Sequence, residues 1–175
     1  MTTSCCPGFV NMLKIHYPTV YEKNKSTTYS PMMALANKLK KEHPDHGIVF
    51  IGPCLAKKQE AMEQNTTVDY VLTYEEIAAM LVAKHIWPEE VEAPKADDAS
   101  NFGRNFATGG GVSQAVNEAA KEKGEGPYTA YYANGAMECK KQLMLLKAGK
   151  FNFDIFSNLF FSEIFLLIDL SNFLF

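Results

Sequence analysis

The sequence predicts an α/β fold: a mostly parallel sheet flanked by helices. Three observations carry this. Short apolar runs at 48–51, 68–72 and 128–133 alternate with segments of helical spacing, the order that builds parallel strands joined by helical crossovers. The run Ile48-Val-Phe-Ile51 is continuous, as in a strand buried on both faces. The chain of 175 residues, 47% hydrophobic and 21% charged, has the composition and size of a single packed domain.

Each element has its own signal. Pro7 suits the first position of a helix, and Phe9, Leu13 and Tyr17 line one face until Pro18 stops it. In 31–42, Met32, Leu35, Ala36 and Leu39 recur at helical spacing. Gly47 introduces the strand 48–51, and Val68–Leu72 reads as a second strand. Thr73 with Glu76 is a capping-box pattern for a helix carrying Ile77, Met80 and Leu81. Residues 86–105, rich in acid, Pro and Ala, read as an exposed excursion. After Gly109-Gly-Gly111, the residues Val112, Ala115, Val116, Ala119 and Ala120 form a helical stripe. Pro127 opens a strand over 128–133, and a helix over 136–148 ends at Gly149.

Composition also excludes. A net charge of −3 is not the basic field of a nucleic-acid binder. Four cysteines are too sparse for a disulfide framework, and the first residues do not read as a signal peptide. The expected compartment is cytoplasmic, with cysteines serving as thiols, metal ligands or catalysts. The composition changes near residue 152. The last 25 residues hold eight of the twelve phenylalanines, with no Lys, Arg, Gly, Pro or Cys after Lys150. Asp154, Glu163 and Asp169 interrupt this tail and no basic residue flanks its end, so no membrane span is expected. Its apolar positions hold no single helical stripe.

Two segments carry chemistry. Cys5 and Cys6 stand in Thr3-Ser-Cys-Cys-Pro-Gly8 at a helix start, where the dipole and free N–H groups favour a thiolate, the form that binds metal or exchanges a proton. The alternative is a pair of small buried residues, and spacing does not separate the two. Cys54, in Pro53-Cys-Leu-Ala-Lys-Lys-Gln-Glu60, follows strand 48–51 directly. The carboxyl end of a parallel strand is where ligands bind, and Lys57 would suit an anionic metal centre there. The alternative is a buried cysteine beside a solvated Lys-Lys-Gln-Glu face.

Together these segments closely resemble two signature motifs of the catalytic domain of iron-iron (FeFe) hydrogenases, in order and separation. Ser30-Pro31, Gly103-Arg-Asn-Phe-Ala107, Cys139-Lys-Lys141 and Lys147-Ala-Gly-Lys150 extend the resemblance over about residues 1–153. In that family a four-iron four-sulfur cubane, held by four cysteines, is bridged by a thiolate to a two-iron unit carrying CO and cyanide. The resemblance implies metal ligation by Cys6 and Cys54. It also implies a proton-passing thiol at Cys5, a cyanide donor at Lys57 and a proton-path serine at Ser26. Pro31 and Phe106 would line the cofactor pocket. Glu60 matches the acid that closes the second motif, with no role attached.

Some positions depart from the family pattern. Gly52 stands where many members have Met, and Phe9 where many have Trp, as in a divergent or sensory-type branch. The third motif, which brings two further cubane cysteines and a run of glycines, is expected just past residue 153, where the Phe-rich tail stands instead. Ala136-Met-Glu-Cys139 looks like part of it, but Lys140-Lys-Gln-Leu143 follows, and Cys139 reads as a buried helix residue. These departures, with no segment before the first motif, lead to the expectation of a fragment. Residues 1–153 are a partial catalytic domain and 154–175 a divergent tail, with a frameshift as an economical source.

The expected function is therefore part of a domain that interconverts protons and H2, this chain by itself being inactive and holding no stable cluster. The intact parent would be a ferredoxin-type FeFe hydrogenase carrying the whole iron cofactor. Its partners would be a ferredoxin-like electron carrier and hydrogenase maturation proteins, with no nucleic acid or membrane. The rival readings are a hydrogenase-like iron–sulfur cluster assembly protein and a cofactor-free α/β interaction domain. Lesser signals carry plainer readings. His43 and His46 lie in a Pro-containing solvated turn, Gly109–Gly111 is a tight turn without the lysine of a phosphate loop, and Asn65-Thr-Thr67 is a sequon.

Overall fold

The computed structural model describes residues 1–63, 67–92, 100–159 and 166–169. In chain order these form α1 (Pro7–His16), α2 (Pro18–Asn24), α3 (Pro31–Glu42), β1 (Ile48–Ile51), α4 (Ala56–Glu63), β2 (Tyr70–Leu72) and α5 (Tyr74–Ala83). There follow α6 (Asn101–Arg104), α7 (Gly111–Glu122), β3 (Ala130–Asn134), α8 (Gly135–Lys147), β4 (Ile155–Leu159) and β5 (Leu166–Asp169). Short 3-10 turns occupy Pro88–Glu90 and Asn105–Ala107. The expected α/β class is what is found, with helices and mainly parallel strands. The chain divides into two units, Met1–Ser30 with Ser100–Glu163, and Pro31–Ala99 with Ile164–Phe175.

In the first unit, Pro7 takes the opening turn of α1, and Phe9 and Leu13 are wholly buried. Pro18 does more than stop α1. It occupies the first turn of α2, which the sequence reading did not anticipate. The first three residues are extended and hydrogen-bonded on both sides. The Thr2 and Thr3 amides donate to the Asn24 and Phe156 carbonyls, and the Ser26 and Phe156 amides donate to the Thr2 and Met1 carbonyls. β3 and β4 pair in parallel, Ala130 opposite Ile155 through Asn134 opposite Leu159. Phe9, Leu13, Val20, Ala133, Cys139, Leu143, Phe153 and Phe156 form the core of this unit.

β4 lies wholly within the Phe-rich tail. Ile155, Phe156 and Ser157 are buried, and the Phe156 ring lies 5.6 Å from that of Phe9 and 5.7 Å from that of Phe153. The described parts of the tail, Ile155–Leu159 and Leu166–Asp169, are strands, so no helical stripe runs through them. β3 begins at Ala130, two residues later than expected. α8 closes as its Gly149 signal predicts, with that residue left-handed at φ +69° and the Lys150 amide on the Leu145 carbonyl.

The glycine run before α7 is the expected tight turn. Gly110 is left-handed at φ +82°, and a Cβ on Gly111 would lie 1.8 Å from the Asn105 carbonyl oxygen. The stripe on α7 is only partly buried. Ala120 is inside and Ala119 exposed, while Ser113 is buried with its hydroxyl donating to the Gly110 carbonyl.

In the second unit β1 is central, parallel to β2 and antiparallel to β5. All four β1 residues are buried, as the continuous apolar run predicts. β2 begins at Tyr70, although Val68 is buried ahead of it. Asp69 pins the start of β1 by accepting from the Ile48 amide. Met32, Met33 and Ala36 of α3 pack with Ile48, Phe50 and Val68. The Thr73–Glu76 capping box is present on α5, but the helix buries none of its residues, and Met80 is exposed. The described part of 86–105 is mainly exposed, interrupted by the Pro88–Glu90 turn, α6 and the 105–107 turn, with Phe106 half-buried. The sequon asparagine, Asn65, lies outside the described residues.

Candidate functional site

Cys6 is the N-cap of α1. Its backbone is extended, φ −102° and ψ 107°, and its carbonyl accepts the first helical hydrogen bond, from the Val10 amide at 3.0 Å. Cys5, one residue earlier, donates from Sγ to the Thr3 hydroxyl at 3.6 Å in a buried setting. Both thiols are at most 5% exposed. The helix start therefore puts two buried thiols side by side, one of them on the hydroxyl of Thr3, a buried residue whose amide donates to the Phe156 carbonyl.

Ser26 is in the same unit and buried, its amide on the Thr2 carbonyl and its hydroxyl accepting from the Thr28 amide at 3.2 Å. Phe106 is half-buried in the turn that follows α6. Cys139 faces inward from α8, fully buried among the core residues of this unit. Burial, then the proximity of Cys6 and Glu138, pushes its thiol up to about 12. It is the buried helix residue that the sequence predicts.

The second unit holds the other expected residues. β1 ends at Ile51, the Gly52 amide bonds the Leu72 carbonyl, and Pro53 turns the chain to Cys54, which is 8% exposed. The carbonyl of Cys54 accepts from the Lys57 amide, so the cysteine leads directly into α4. Pro31 opens α3 and is half-buried. Lys57 is 0% exposed. Its ammonium donates to Glu60 Oε2 at 3.0 Å and lies 5.9 Å from the centre of the Phe50 ring. The plainer reading of this segment, a solvated Lys-Lys-Gln-Glu face, fails for its first and last members, since Lys57 and Glu60 are inside. Only the middle of the run is as expected: Lys58 is partly exposed and pairs with Glu76, and Gln59 is exposed.

Thus Cys5, Cys6, Ser26 and Phe106 belong to one unit, and Pro31, Cys54 and Lys57 to the other. His43 and His46 stack at 4.9 Å with rings 6° from parallel in the turn before β1, face to face rather than converging on a shared ion. The sequence reading had no signal for Thr3 or for the partner of Lys57. Thr3 could have been noticed two residues before Cys5, and Glu60 one helical turn after Lys57.

The iron group that the resemblance implies can be tested against these residues. A buried ammonium suits a small anionic ligand, and buried thiols suit iron. A cubane held by four thiolates needs more than this chain offers. It has four cysteines, of which Cys139 is enclosed by apolar side chains and Cys5 is turned to Thr3. Among the described residues no three His, Cys, Asp or Glu side chains are grouped to hold a metal. The donor set does not fit the complete group.

Comparison with known proteins gives a consistent family. Residues 1–159 match the family model for the C-terminal domain of the iron only hydrogenase large subunit. The chain is 34% identical over 143 residues to iron hydrogenase 1 of Clostridium pasteurianum, covering 71% of this chain and 25% of that protein. It is 28% identical over 142 residues to the NADP-reducing hydrogenase subunit HndD of Solidesulfovibrio fructosivorans, covering 71% and 24%. The structure resembles a variant of the FeFe hydrogenase HydA1 from Chlamydomonas reinhardtii, with TM-score 0.67 and 22% identity over 90% of this chain and 58% of that one. The chain thus spans about a quarter of the curated relatives it matches. The family match runs to the end of β4 and so takes in the first six residues, 154–159, of the Phe-rich tail. With nine-tenths of its length inside that match, the chain belongs to the family of C-terminal domains of iron-only hydrogenase large subunits.

Proposed function

We propose that these 175 residues are part of a hydrogenase catalytic domain whose whole interconverts protons and electrons with H2, two protons and two electrons per molecule. In that whole, Cys6 and Cys54 bind iron, Cys5 passes protons and Ser26 continues their path. Lys57 donates to an anionic ligand, and Pro31 and Phe106 line the pocket. A four-iron four-sulfur cluster joined to a two-iron unit would supply the redox chemistry. The partners are an electron carrier of ferredoxin type and the maturation proteins that build the two-iron unit. The compartment is cytoplasmic.

By itself, the chain makes no H2 and holds no stable four-iron cluster. One observation carries this: of four cysteines, Cys139 is sealed in the apolar core on α8, and only Cys6 and Cys54 stand at ligand positions of the family motifs. Two thiolates leave half of a cubane's corners to other ligands, and such a cluster is labile.

The test is anaerobic reconstitution of purified 1–175 with iron, sulfide and maturation proteins. Bound iron and H2 evolution with a low-potential donor are then measured. The expected result is substoichiometric iron that is lost on desalting, and no H2. Four irons retained per chain, or H2 evolution that Cys6→Ser abolishes, would overturn the ligand count.

A further inference from the structure

α8 has two chemically different sides. Cys139, Leu143 and Leu146 are buried. On the other side Met137, Lys141, Met144 and Ala148 recur at spacings of four, three and four, which is one straight stripe along a helix. Met137 is 87% exposed and Met144 63%. Lys140 and Lys147 flank the stripe, and both are exposed. The helix has one acid, Glu138, and it is turned to its own fold, accepting from the Tyr131 hydroxyl and the Asn134 amide. A chain of net charge −3 thus carries a locally basic face with two bare methionines along its middle. Such methionines are adaptable apolar contacts, of the kind found at binding surfaces.

The segment that follows α5 is opposite in charge and also apolar. Ile86-Trp-Pro-Glu-Glu-Val-Glu92 holds three carboxylates and no Lys, Arg or His. Trp87 is 43% exposed and Val91 56%, and Glu89, Glu90 and Glu92 are exposed. The Pro88–Glu90 turn, closed by the Val91 amide on the Pro88 carbonyl, sets its shape before any contact. The segment spans at most about 20 Å, a length matched to the roughly 15 Å from Met137 to Lys147 along a helix.

We propose that the 86–92 segment of one copy docks on the outer face of α8 of a second copy, Trp87 against Met137 and Met144, and the glutamates toward Lys140, Lys141 and Lys147. Charges of opposite sign surround an apolar centre, with the aromatic as anchor. The two faces complement each other, which makes a second copy of this chain the occupant. The contact is head-to-tail: each copy presents one of each face, so the assembly grows or closes into a ring. The interface is smaller than the roughly 1,200 Å² of a standard complex, so association is weak and concentration-dependent.

Sedimentation velocity of purified 1–175 under reducing, anaerobic conditions reads the association. The unaltered chain should sediment faster as its concentration rises through roughly 10–500 μM, and less so as added salt screens the charges. The double variant Lys140→Glu, Lys141→Glu reverses the α8 face and keeps the segment. The triple variant Trp87→Ala, Glu89→Gln, Glu90→Gln disables the segment and keeps α8. All five positions are exposed, and circular dichroism checks the fold of each variant. Each alone should associate at least about tenfold more weakly. Mixed one to one, they should form a capped dimer, because one intact segment meets one intact α8.

If a multiple variant loses its fold, Trp87→Ala and Lys141→Glu singly serve the same mixture. A chain that stays monomeric at every concentration would overturn the proposal, and so would a mixture that does not pair. Association that persists unweakened in either variant alone would place the contact elsewhere, for instance on the exposed face of α5, and would overturn it too. None of these outcomes bears on the hydrogenase reading, because no measurement involves a cluster.

Discussion

Phe156 is the sharpest place to perturb the first unit. Its side chain is 0% exposed, with ring centroids of Phe9 at 5.6 Å, Phe153 at 5.7 Å and Tyr131 at 6.0 Å. Its amide and carbonyl also tie residues 1–3 to β4. Phe156→Ala keeps the backbone bonds and removes the ring from the middle of four aromatics. Truncating a buried Phe costs about 3–5 kcal/mol. With a urea slope of about 2 kcal/mol per molar for a chain of this size, the midpoint should fall by about 1.5–2.5 M. Phe151→Ala is the control. That ring is 45% exposed and touches Phe153 at 5.3 Å, so its loss should cost about 1 kcal/mol. Both are read by urea unfolding followed by circular dichroism under reducing, anaerobic conditions. If Phe156→Ala costs no more than Phe151→Ala, the assignment of β4 to the core is wrong.

Three further outcomes follow from local geometry. Glu76 bonds Lys58 and the Thr73 amide, which hold its carboxyl below the usual value of 4.5. Its contribution is thus complete above the unfolded value and is lost as pH falls through the lower folded one, so Glu76→Gln should flatten this part of an acid titration. Thr73→Ala, which removes the other half of the capping box, should cost about 1 kcal/mol. Gly111→Ala would place a methyl 1.8 Å from a backbone oxygen; the loop must shift, at about 1–3 kcal/mol in thermal or urea unfolding. Unaltered stability in Gly111→Ala would show that the 105–111 turn yields freely.

Much of this was legible where a single physical signal ruled. The Ile48–Ile51 run reads as a two-sided strand because every position is apolar, and Pro7 with Phe9 and Leu13 reads as α1 because start and face agree. α4 escaped because its inner face is an ion pair. Ala-Lys-Lys-Gln-Glu-Ala-Met-Glu has no apolar stripe to find, and the burial of Lys57 and Glu60 depends on their partnership. α2 escapes because Pro18 signals the end of α1, while the same residue also starts a helix. β4 escaped because Phe153 and Phe156 belong to a packed aromatic group and Ile155, between them, is buried as well, so neither period 2 nor period 3.6 marks it. Deletion of 154–175 should cost stability, because it removes the buried Ile155, Phe156 and Ser157. For the site, the motifs pointed to Cys6 at a helix start and Cys54 past a strand, but no pattern in the chain predicts that Thr3 receives the Cys5 thiol.

The double pairing of residues 1–3 has a kinetic consequence. The amino group of Met1 reaches the Asp154 carbonyl, 153 residues away in sequence, and the two bonds between Phe156 and residues 1–3 are of the same span. Such closures are late and slow, because the chain must lose the freedom of a long loop before any contact compensates it. On the ribosome, residues 1–3 emerge long before β4, and their outer edge is not satisfied until β4 arrives. During that interval α1 and α2 can form from local contacts alone, while the edge beside Thr3 stays open to any other extended strand. Synthesis rate and chaperone supply should therefore govern the yield of folded chain more strongly than surface charge does.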